Sequence, residues 1–363
     1  MRALIASSAT GGHIYPALAV AEEIKKRDPA AEILFVGAKW EIGKDIVESA
    51  GYRQKFIEAT GFDRKNPFKN FSVLASIVRS SGEIEKILDE FKPDICIGTG
   101  GHVSGPVIRV AKKNGIKTIL MEQNVIPGMA NKIAEKYADH IFVAFDDTVK
   151  HFREPGRVIV SGNPVRTAFA EAAKKRDELR KKYDIPLGAV CILVFGGSQG
   201  ADSMNEAGVS LIGSLAGEDG FFVILITGRQ LYEPVVDRHT AGAGNSLILD
   251  YSDEIYELFA ASDLIVSRAG ALTVTEIAHS GKASVLIPSP NVTNNHQYYN
   301  AKVLADAGAA VLLSEESLKV GGLAAIVTEL AADSEKINEM GFKAAGLAKR
   351  DAAGVIADEI FRI

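Results

Sequence analysis

The tetrapeptide Thr-Gly-Gly-His occurs twice in the chain, as Thr10-Gly11-Gly12-His13 and as Thr99-Gly100-Gly101-His102. Each copy follows a short apolar run, ALIASSA in the first case and DICIG in the second, where a strand gives way to a helix. Glycine in such a turn lets the backbone take positive φ and come close to a ligand. The N–H groups and dipole at the start of the following helix favour an anion. A third turn of this kind, Gly196-Gly197-Ser198-Gln199-Gly200, follows the run AVCILVF. One such turn is an ordinary feature of an α/β fold. Three of them carrying Thr, His or Ser point to a chain that handles phosphate groups. None keeps the G-x-G-x-x-G spacing of a dinucleotide site, because GTGGHV has Val103 at the last glycine position.

Two further segments carry donors and acceptors. Ser267-Arg268-Ala269-Gly270-Ala271-Leu272-Thr273-Val274-Thr275-Glu276 follows the strand-like DLIV and opens a helix. Gly270 frees the turn, and the N–H groups of Ala271, Leu272 and Thr273 can meet a diphosphate. Glu276 lies within the helix at a depth suited to a ribose diol, whose two hydroxyl hydrogens a carboxylate accepts. The cluster Thr293-Asn294-Asn295-His296-Gln297-Tyr298-Tyr299-Asn300 suits recognition of sugar hydroxyls, or alternatively an N-capped helix with a polar first turn.

The elements that must position these groups follow a repeating pattern. Apolar runs of strand length alternate with longer amphipathic stretches, which implies right-handed βαβ units and parallel sheets. The first half places strands at 2–6, 32–36, 53–58, 94–97, 117–121, 140–144 and 157–160, with helices over 17–26, 106–113 and 129–137. Turn chemistry at Ser161-Gly162-Asn163-Pro164 ends this series. A charged helix over 168–183 follows, and strands resume at 190–195, 221–226, 246–249, 263–266, 283–287 and 309–313. The expected organisation is an N-terminal domain at 1–162, a hinge at 163–167, a C-terminal domain at 168–340, and a terminal helical stretch at 341–363 packing back on the first domain. Ligands of open parallel sheets bind beyond the carboxyl ends of the strands, where all three glycine turns fall.

Composition sets outer bounds. The chain has 363 residues, 47% hydrophobic and 24% charged, which fits two soluble globular domains. The apolar residues before Gly11 are too few for a signal peptide and read as a first strand, and no apolar run reaches membrane-spanning length. Cys96 and Cys191 lie inside apolar runs, without metal-ligand spacing. The net charge of −5 conceals a mildly basic first half and an acidic second half. No nucleic-acid partner is expected.

Taken in order, TGGHIYPALAVAEEI, GTGGHVSGP, MEQNVIPGMANK, GNPVR, FGGSQGA, SRAGALTVTEIA and HQYYNA resemble the MurG family of peptidoglycan N-acetylglucosaminyltransferases, over nearly the whole chain. The resemblance implies the GT-B architecture, two Rossmann-like parallel-sheet domains facing across a cleft. It implies UDP-GlcNAc as donor and undecaprenyl-pyrophosphoryl-MurNAc-pentapeptide as acceptor. Ser198, Ala271, Leu272 and Thr273 would meet the diphosphate, Glu276 the ribose, and Gln297 the sugar hydroxyls. Ser252 matches a position contacting uracil through its backbone. Thr10, Gly11, Gly12, Asn124 and Arg166 would lie around the donor, and Thr99, Gly100, Gly101 and His102 on the acceptor side. The chain departs from the family pattern at Ser8-Ala9, where two glycines are common, at His102 for a common Tyr, and at His296 for the first of two Gln.

The implied chemistry is inverting transfer with no cofactor. One group takes the proton of the attacking hydroxyl, and another stabilises the leaving UDP. His13 is the first choice for the base, since a neutral imidazole suits that task near pH 7; its alternatives are donation to the donor phosphate or a helix cap. Glu122 is the second base candidate, with a structural hydrogen bond inside MEQN as its alternative. No Asp-x-Asp motif with metal-ligand character is present, so no metal site is expected, and Asp146-Asp147 reads as a helix start. Competing readings are a diacylglycerol glycosyltransferase, a UDP-GlcNAc 2-epimerase, an NAD-dependent oxidoreductase and a non-catalytic sugar-nucleotide binder. The implied location is the cytoplasmic face of the cell membrane, held peripherally, with other cell-wall enzymes as further partners.

The stretch 53–79 interleaves Arg53, Lys55, Arg64, Lys65, Lys69 and Arg79 with Phe62, Phe68, Phe71 and Leu74. Basic residues near an anionic surface contribute ~1 kcal/mol each, and inserted aromatic rings add apolar burial. The chain is therefore expected to sediment with anionic vesicles at low salt and to be released by salt. Replacing Lys65, Lys69 and Phe68 together should weaken that binding while UDP affinity is unchanged. Equal sedimentation of the triple variant and the parent would show that the docking surface lies elsewhere.

Overall fold

A computed structural model describes residues 1–8, 11–39, 44–59, 70–238, 244–318 and 322–363, with backbone only at 44, 70–78 and 238. The chain forms two units, Met1–Arg166 with Lys349–Ile363, and Thr167–Ala348. The first holds β1 (Arg2–Ala6), β2 (Glu32–Ala38), β3 (Arg53–Ile57), β4 (Ile95–Gly98), β5 (Lys117–Glu122), β6 (His140–Val143) and β7 (Val158–Val160). They lie in the order β3-β2-β1-β4-β5-β6-β7, every neighbour parallel. The second holds β8 (Val190–Phe195), β9 (Phe221–Ile226), β10 (Ser246–Leu249), β11 (Leu264–Ser267), β12 (Ala283–Leu286) and β13 (Ala310–Leu312). Their order is β10-β9-β8-β11-β12-β13, again all parallel.

Each strand stands at its expected place, because a parallel strand covered on both faces must be apolar throughout; edge strand β3, RQKFI, keeps polar Arg53, Gln54 and Lys55. Alternate residues then feed opposite layers. Leu4, Leu34, Cys96 and Leu120 enter one core of the first unit, and Ile5, Phe35, Ile97 and Met121 the other. Burial pushes the thiols of Cys96 and Cys191 up, to about 12 and about 11. Both are inert packing groups.

In each sheet the chain lays strands outward to one side, returns to the middle and builds the other side. The reversals fall between β1 and β4 and between β8 and β11. Loops leaving neighbouring strands diverge there and open a crevice at the carboxyl edge.

The helices depart from expectation at several ends. Gly11–Arg27 begins a turn and a half before residue 17, and Gly101–Lys113 a turn and a half before residue 106. Pro16 and Pro106 each sit inside the helix. The charged stretch 168–183 is two helices, Ala168–Ala173 and Arg176–Lys182. The restart places Arg176 and Arg180 one turn apart, and both reach Asp263. The changeover expected at 341 is also corrected. Helix Ser334–Gly346 runs through that point and gives Ile337 and Met340 to the second unit's core. The first unit resumes at Lys349, and helix Ala352–Arg362 buries Ile356 and Ile360 in it.

Among the described residues no helix is long and apolar enough to cross a membrane. Of the basic stretch 53–79, residues 60–69 lie outside the described ones, Phe62, Arg64, Lys65, Phe68 and Lys69 among them; for Phe71 and Leu74 only backbone is described. Two of its other cations are already paired, Arg53 with Glu32 at 3.5 Å and Lys55 with Glu90.

Candidate functional site

The two Thr-Gly-Gly-His copies leave β1 and β4, the strands on either side of the first sheet's reversal. Thr10 lies outside the described residues; Gly11 and Gly12 open the helix after β1. The second copy is tied to the first strand. Thr99 N–H donates to the Ala6 carbonyl at 2.9 Å, and Ser104 Oγ lies 2.9 Å from the same oxygen. Gly100, at φ 110, supports the His13 ring so closely that an added Cβ would lie 2.6 Å from its Cε1 and Nδ1. The repeated glycine of one copy is therefore the seat of the other copy's histidine. Ser8 Oγ stands 3.5 Å from His102 Nδ1 across the same pair of loops.

The end of β5 supplies the floor. Gln123 donates from Nε2 to the Thr99 carbonyl at 2.9 Å, and its Oε1 lies 3.1 Å from His13 Nδ1. Glu122, only 3% exposed, accepts from Asn124 N and Nδ2, Gly128 N and Asn131 Nδ2 at 2.8–3.1 Å. A carboxylate engaged by four donors from its own loop has its lone pairs committed to holding that loop. Glu122 is thus a structural anchor and not the second base candidate. Asn124 is half-buried and held by the same carboxylate, and Arg166 stacks its guanidinium 4.7 Å from the Tyr15 ring centre.

The second unit repeats the arrangement at its own reversal. Ser198 is exposed in the glycine loop after β8. Gly200, at φ 76, packs against the Thr227 carbonyl so tightly that any side chain would collide with it. Buried Asn205 donates to that same carbonyl at 3.0 Å. After β11, Gly270 precedes helix Ala271–Ser280, and no side chain caps that helix. Its first N–H groups, on Ala271, Leu272 and Thr273, lack intrahelical acceptors by geometry. Glu276 is half-buried in the second turn of this helix. Ser252 follows β10, beside the Arg229–Tyr251 stack at 4.5 Å. Gln297 belongs to helix His296–Asp306, which Asn300 ties to the Ala269 carbonyl at 3.3 Å. The Gln297 Oε1 accepts from Ser289 N–H at 2.8 Å, which orients its amide.

Each unit therefore gathers its expected residues on one sheet edge. Gly11, Gly12, His13, Thr99, Gly100, Gly101, His102 and Asn124 belong to the first unit, Ser198, Ser252, Ala271–Thr273, Glu276 and Gln297 to the second. Two elements escaped the sequence reading. One is Gln123, adjacent to Glu122 in MEQN. The other is Arg268, 8% exposed, which pairs with Glu315 and donates to Ser203 Oγ at 2.9 Å and the Ile287 carbonyl at 3.2 Å. Among the described residues no three His, Cys, Asp or Glu side chains are grouped to hold a metal ion.

Residues 4–143 match the glycosyltransferase family 28 N-terminal domain, and residues 191–356 the family 28 C-terminal domain. A relative from Finegoldia magna is 35% identical over 363 residues, covering 100% of this chain and 98% of the relative. Its name is UDP-N-acetylglucosamine--N-acetylmuramyl-(pentapeptide) pyrophosphoryl-undecaprenol N-acetylglucosamine transferase. The solved structure of MurG from Acinetobacter baumannii is similar with a TM-score of 0.76 at 26% identity, over 100% of this chain and 99% of that one. A UDP-GlcNAc 2-epimerase from Neisseria meningitidis, bound to UDP-GlcNAc, gives 0.71 at 14% identity over 100% of both chains, a likeness of fold alone.

The Arg268 network generates a prediction. Arg268→Met should leave Glu315 without its cation and two acceptors without donors. Removing one partner of a buried pair costs about 3–5 kcal/mol, and partial exposure of Glu315 reduces this to roughly 2. A lower denaturant midpoint at unchanged slope is the expected result. An unchanged midpoint would show that the network is dispensable for the second unit.

Proposed function

The chain belongs to glycosyltransferase family 28 and, within it, to the MurG N-acetylglucosaminyltransferases, and we propose how its residues carry out that transfer. N-acetylglucosamine moves from UDP-N-acetylglucosamine to the N-acetylmuramyl-(pentapeptide) pyrophosphoryl-undecaprenol acceptor, a step of peptidoglycan precursor synthesis. The 4-hydroxyl of the acceptor attacks the anomeric carbon from the face opposite UDP. The bond from that carbon to the phosphate oxygen breaks, and UDP leaves with the electron pair.

The observation that carries the donor assignment is helix Ala271–Ser280. It begins at a glycine turn beside the sheet reversal, has no side-chain cap, and carries a half-buried glutamate in its second turn. The N–H groups of Ala271, Leu272 and Thr273 receive the diphosphate, with Ser198 from the neighbouring loop, and Glu276 accepts both ribose hydroxyls. The oriented amide of Gln297 reads a sugar hydroxyl, and the backbone at Ser252 meets the base. Charge developing on the leaving diphosphate is met by fixed N–H dipoles, which need no reorganisation as it forms. No divalent ion is assigned a role in the chemistry. On the first unit His13 takes the proton of the attacking hydroxyl. Thr99, Gly100, Gly101 and His102 line the acceptor side. Gly11, Gly12, Asn124 and Arg166, with Thr10, serve the donor from the first unit. Because the acceptor is lipid-anchored, the enzyme works at a membrane surface, held peripherally on the cytoplasmic face.

Two variants test the roles. Glu276→Ala should weaken UDP binding about ten-fold or more, since a charged hydrogen bond is worth ~1.5–3 kcal/mol. His13→Ala should lower kcat by roughly 10²-fold or more, the scale of general-base loss, with UDP affinity little changed. Calorimetry showing unchanged UDP affinity in the first would remove Glu276 from the ribose. Near-normal kcat in the second would remove His13 from proton transfer.

The metal assignment has its own check. Transfer of labelled sugar to the lipid acceptor should persist in excess chelator. Complete loss, restored only by Mg²⁺ or Mn²⁺, would overturn it.

A further inference from the structure

We propose that Gln123 is a positioning residue that fixes which ring nitrogen of His13 carries the proton. The inference deepens the reading of His13 as base and rests on it. Gln123 sits at the end of β5 and is 2% exposed. Its main-chain carbonyl accepts from Asn163 Nδ2 at 3.1 Å, and Asn163 is itself buried. Its side-chain amide has one neighbour on each side, the Thr99 carbonyl at 2.9 Å and His13 Nδ1 at 3.1 Å.

The Thr99 carbonyl can only accept, so it takes the amide nitrogen of Gln123. A reversed amide would set two oxygens against each other in a buried place. The amide oxygen therefore faces His13. An oxygen there accepts, so His13 Nδ1 must carry hydrogen. The neutral imidazole then has its basic lone pair on Nε2. Thr99 is in turn locked to β1 through its own N–H, and the His13 ring rests on Gly100. Place, rotation and tautomer of one copy's histidine are thus all specified by the other copy and by β5.

The partner's chemistry matters as well. An amide orients the ring without adding a negative charge that would favour imidazolium. The carboxylate next in sequence, Glu122, is turned to its own loop, accepting from Asn124, Gly128 and Asn131. A neutral group is thereby placed against Nδ1 although a carboxylate is one residue away.

The test uses the full-length enzyme, ¹⁵N-labelled on histidine, with Gln123→Met and Gln123→Glu. The wild type should show the His13 signal, assigned by its loss in His13→Ala, in the Nδ1–H form. Gln123→Met should mix the tautomers and lower kcat by roughly ten-fold or more, with the KM for UDP-GlcNAc within about two-fold. Gln123→Glu still accepts from Nδ1 and should keep it protonated, but it loses the donor to the Thr99 carbonyl and favours imidazolium, so kcat should stay well below wild type. An Nε2–H wild type overturns the proposal even where a variant fails to fold. So does a Gln123→Met enzyme with unchanged kcat, or one whose loss lies in KM alone. The two readings fail separately. Normal turnover in His13→Ala removes the base while leaving the tautomer readable. Loss in His13→Ala without loss in Gln123→Met keeps the base and removes the positioning role.

Discussion

Parallel pairing is the constraint from which the chemistry of this chain follows. When every strand runs the same way, all carboxyl ends share one edge, and the loops leaving them are the only segments that can gather there. The order must reverse once if strands are to be added on both sides of the first. At that reversal two adjacent loops part, and backbone N–H groups are left without sheet or helix partners. Both units reverse once, and in both the parted loops are the glycine turns. The proposed donor helix Ala271–Ser280 and the histidine helix Gly11–Arg27 are equivalent products of one rule.

The reversal alone leaves two floppy loops, and glycine raises the entropy that folding must overcome. The structure offsets this by interlocking the loops. Gly100 yields its side-chain volume to the His13 ring, and Gly200 yields its own to the Thr227 carbonyl. Buried hydrogen bonds fix the result: Thr99 and Ser104 to the Ala6 carbonyl, and Asn205 to Thr227. Missing side chains thus become close backbone contacts, and the catalytic edge is more rigid than its glycine content suggests. An alanine at position 100 would meet both a left-handed φ and an occupied volume.

How much of this was legible depends on sequence distance. The strands were readable because a two-sided parallel strand needs only local information, an apolar run of the right length. Two helix starts were placed late, at 17 and 106, because glycines, poor helix formers, in fact open those helices at Gly11 and Gly101. The break at Lys174-Lys175 carries no local signal at all, since it serves Asp263, nearly ninety residues away. The glycine turns and the place of Glu276 in its helix were legible from the local sequence. Gln123 did not, because an amide acquires meaning only from what it faces, and His13 stands 110 positions earlier. Glu122 misled for the complementary reason. A carboxylate near a turn looks like a base until its four donors are seen.

The same logic explains an expensive feature of the second unit. Burying Arg268 against the partly exposed Glu315 takes charge out of water, and buried pairs rarely gain net stability over apolar side chains of similar volume. What apolar side chains cannot do is fix direction. The planar guanidinium offers its donors at set angles, and here they reach three groups on separate segments. Ser203 lies in the helix after the β8 loop, the Ile287 carbonyl just past β12, and Glu315 beyond β13, while Arg268 itself directly follows β11. One side chain therefore sets the spacing of the segments around the turn that opens the donor helix. Leucine or methionine would fill the space but would let Gly270 and the first N–H groups drift relative to the β8 loop. In the proposed donor site those N–H groups would stabilise a leaving diphosphate only while already aimed at it, so the charge is buried where that reading makes aim matter more than net stability.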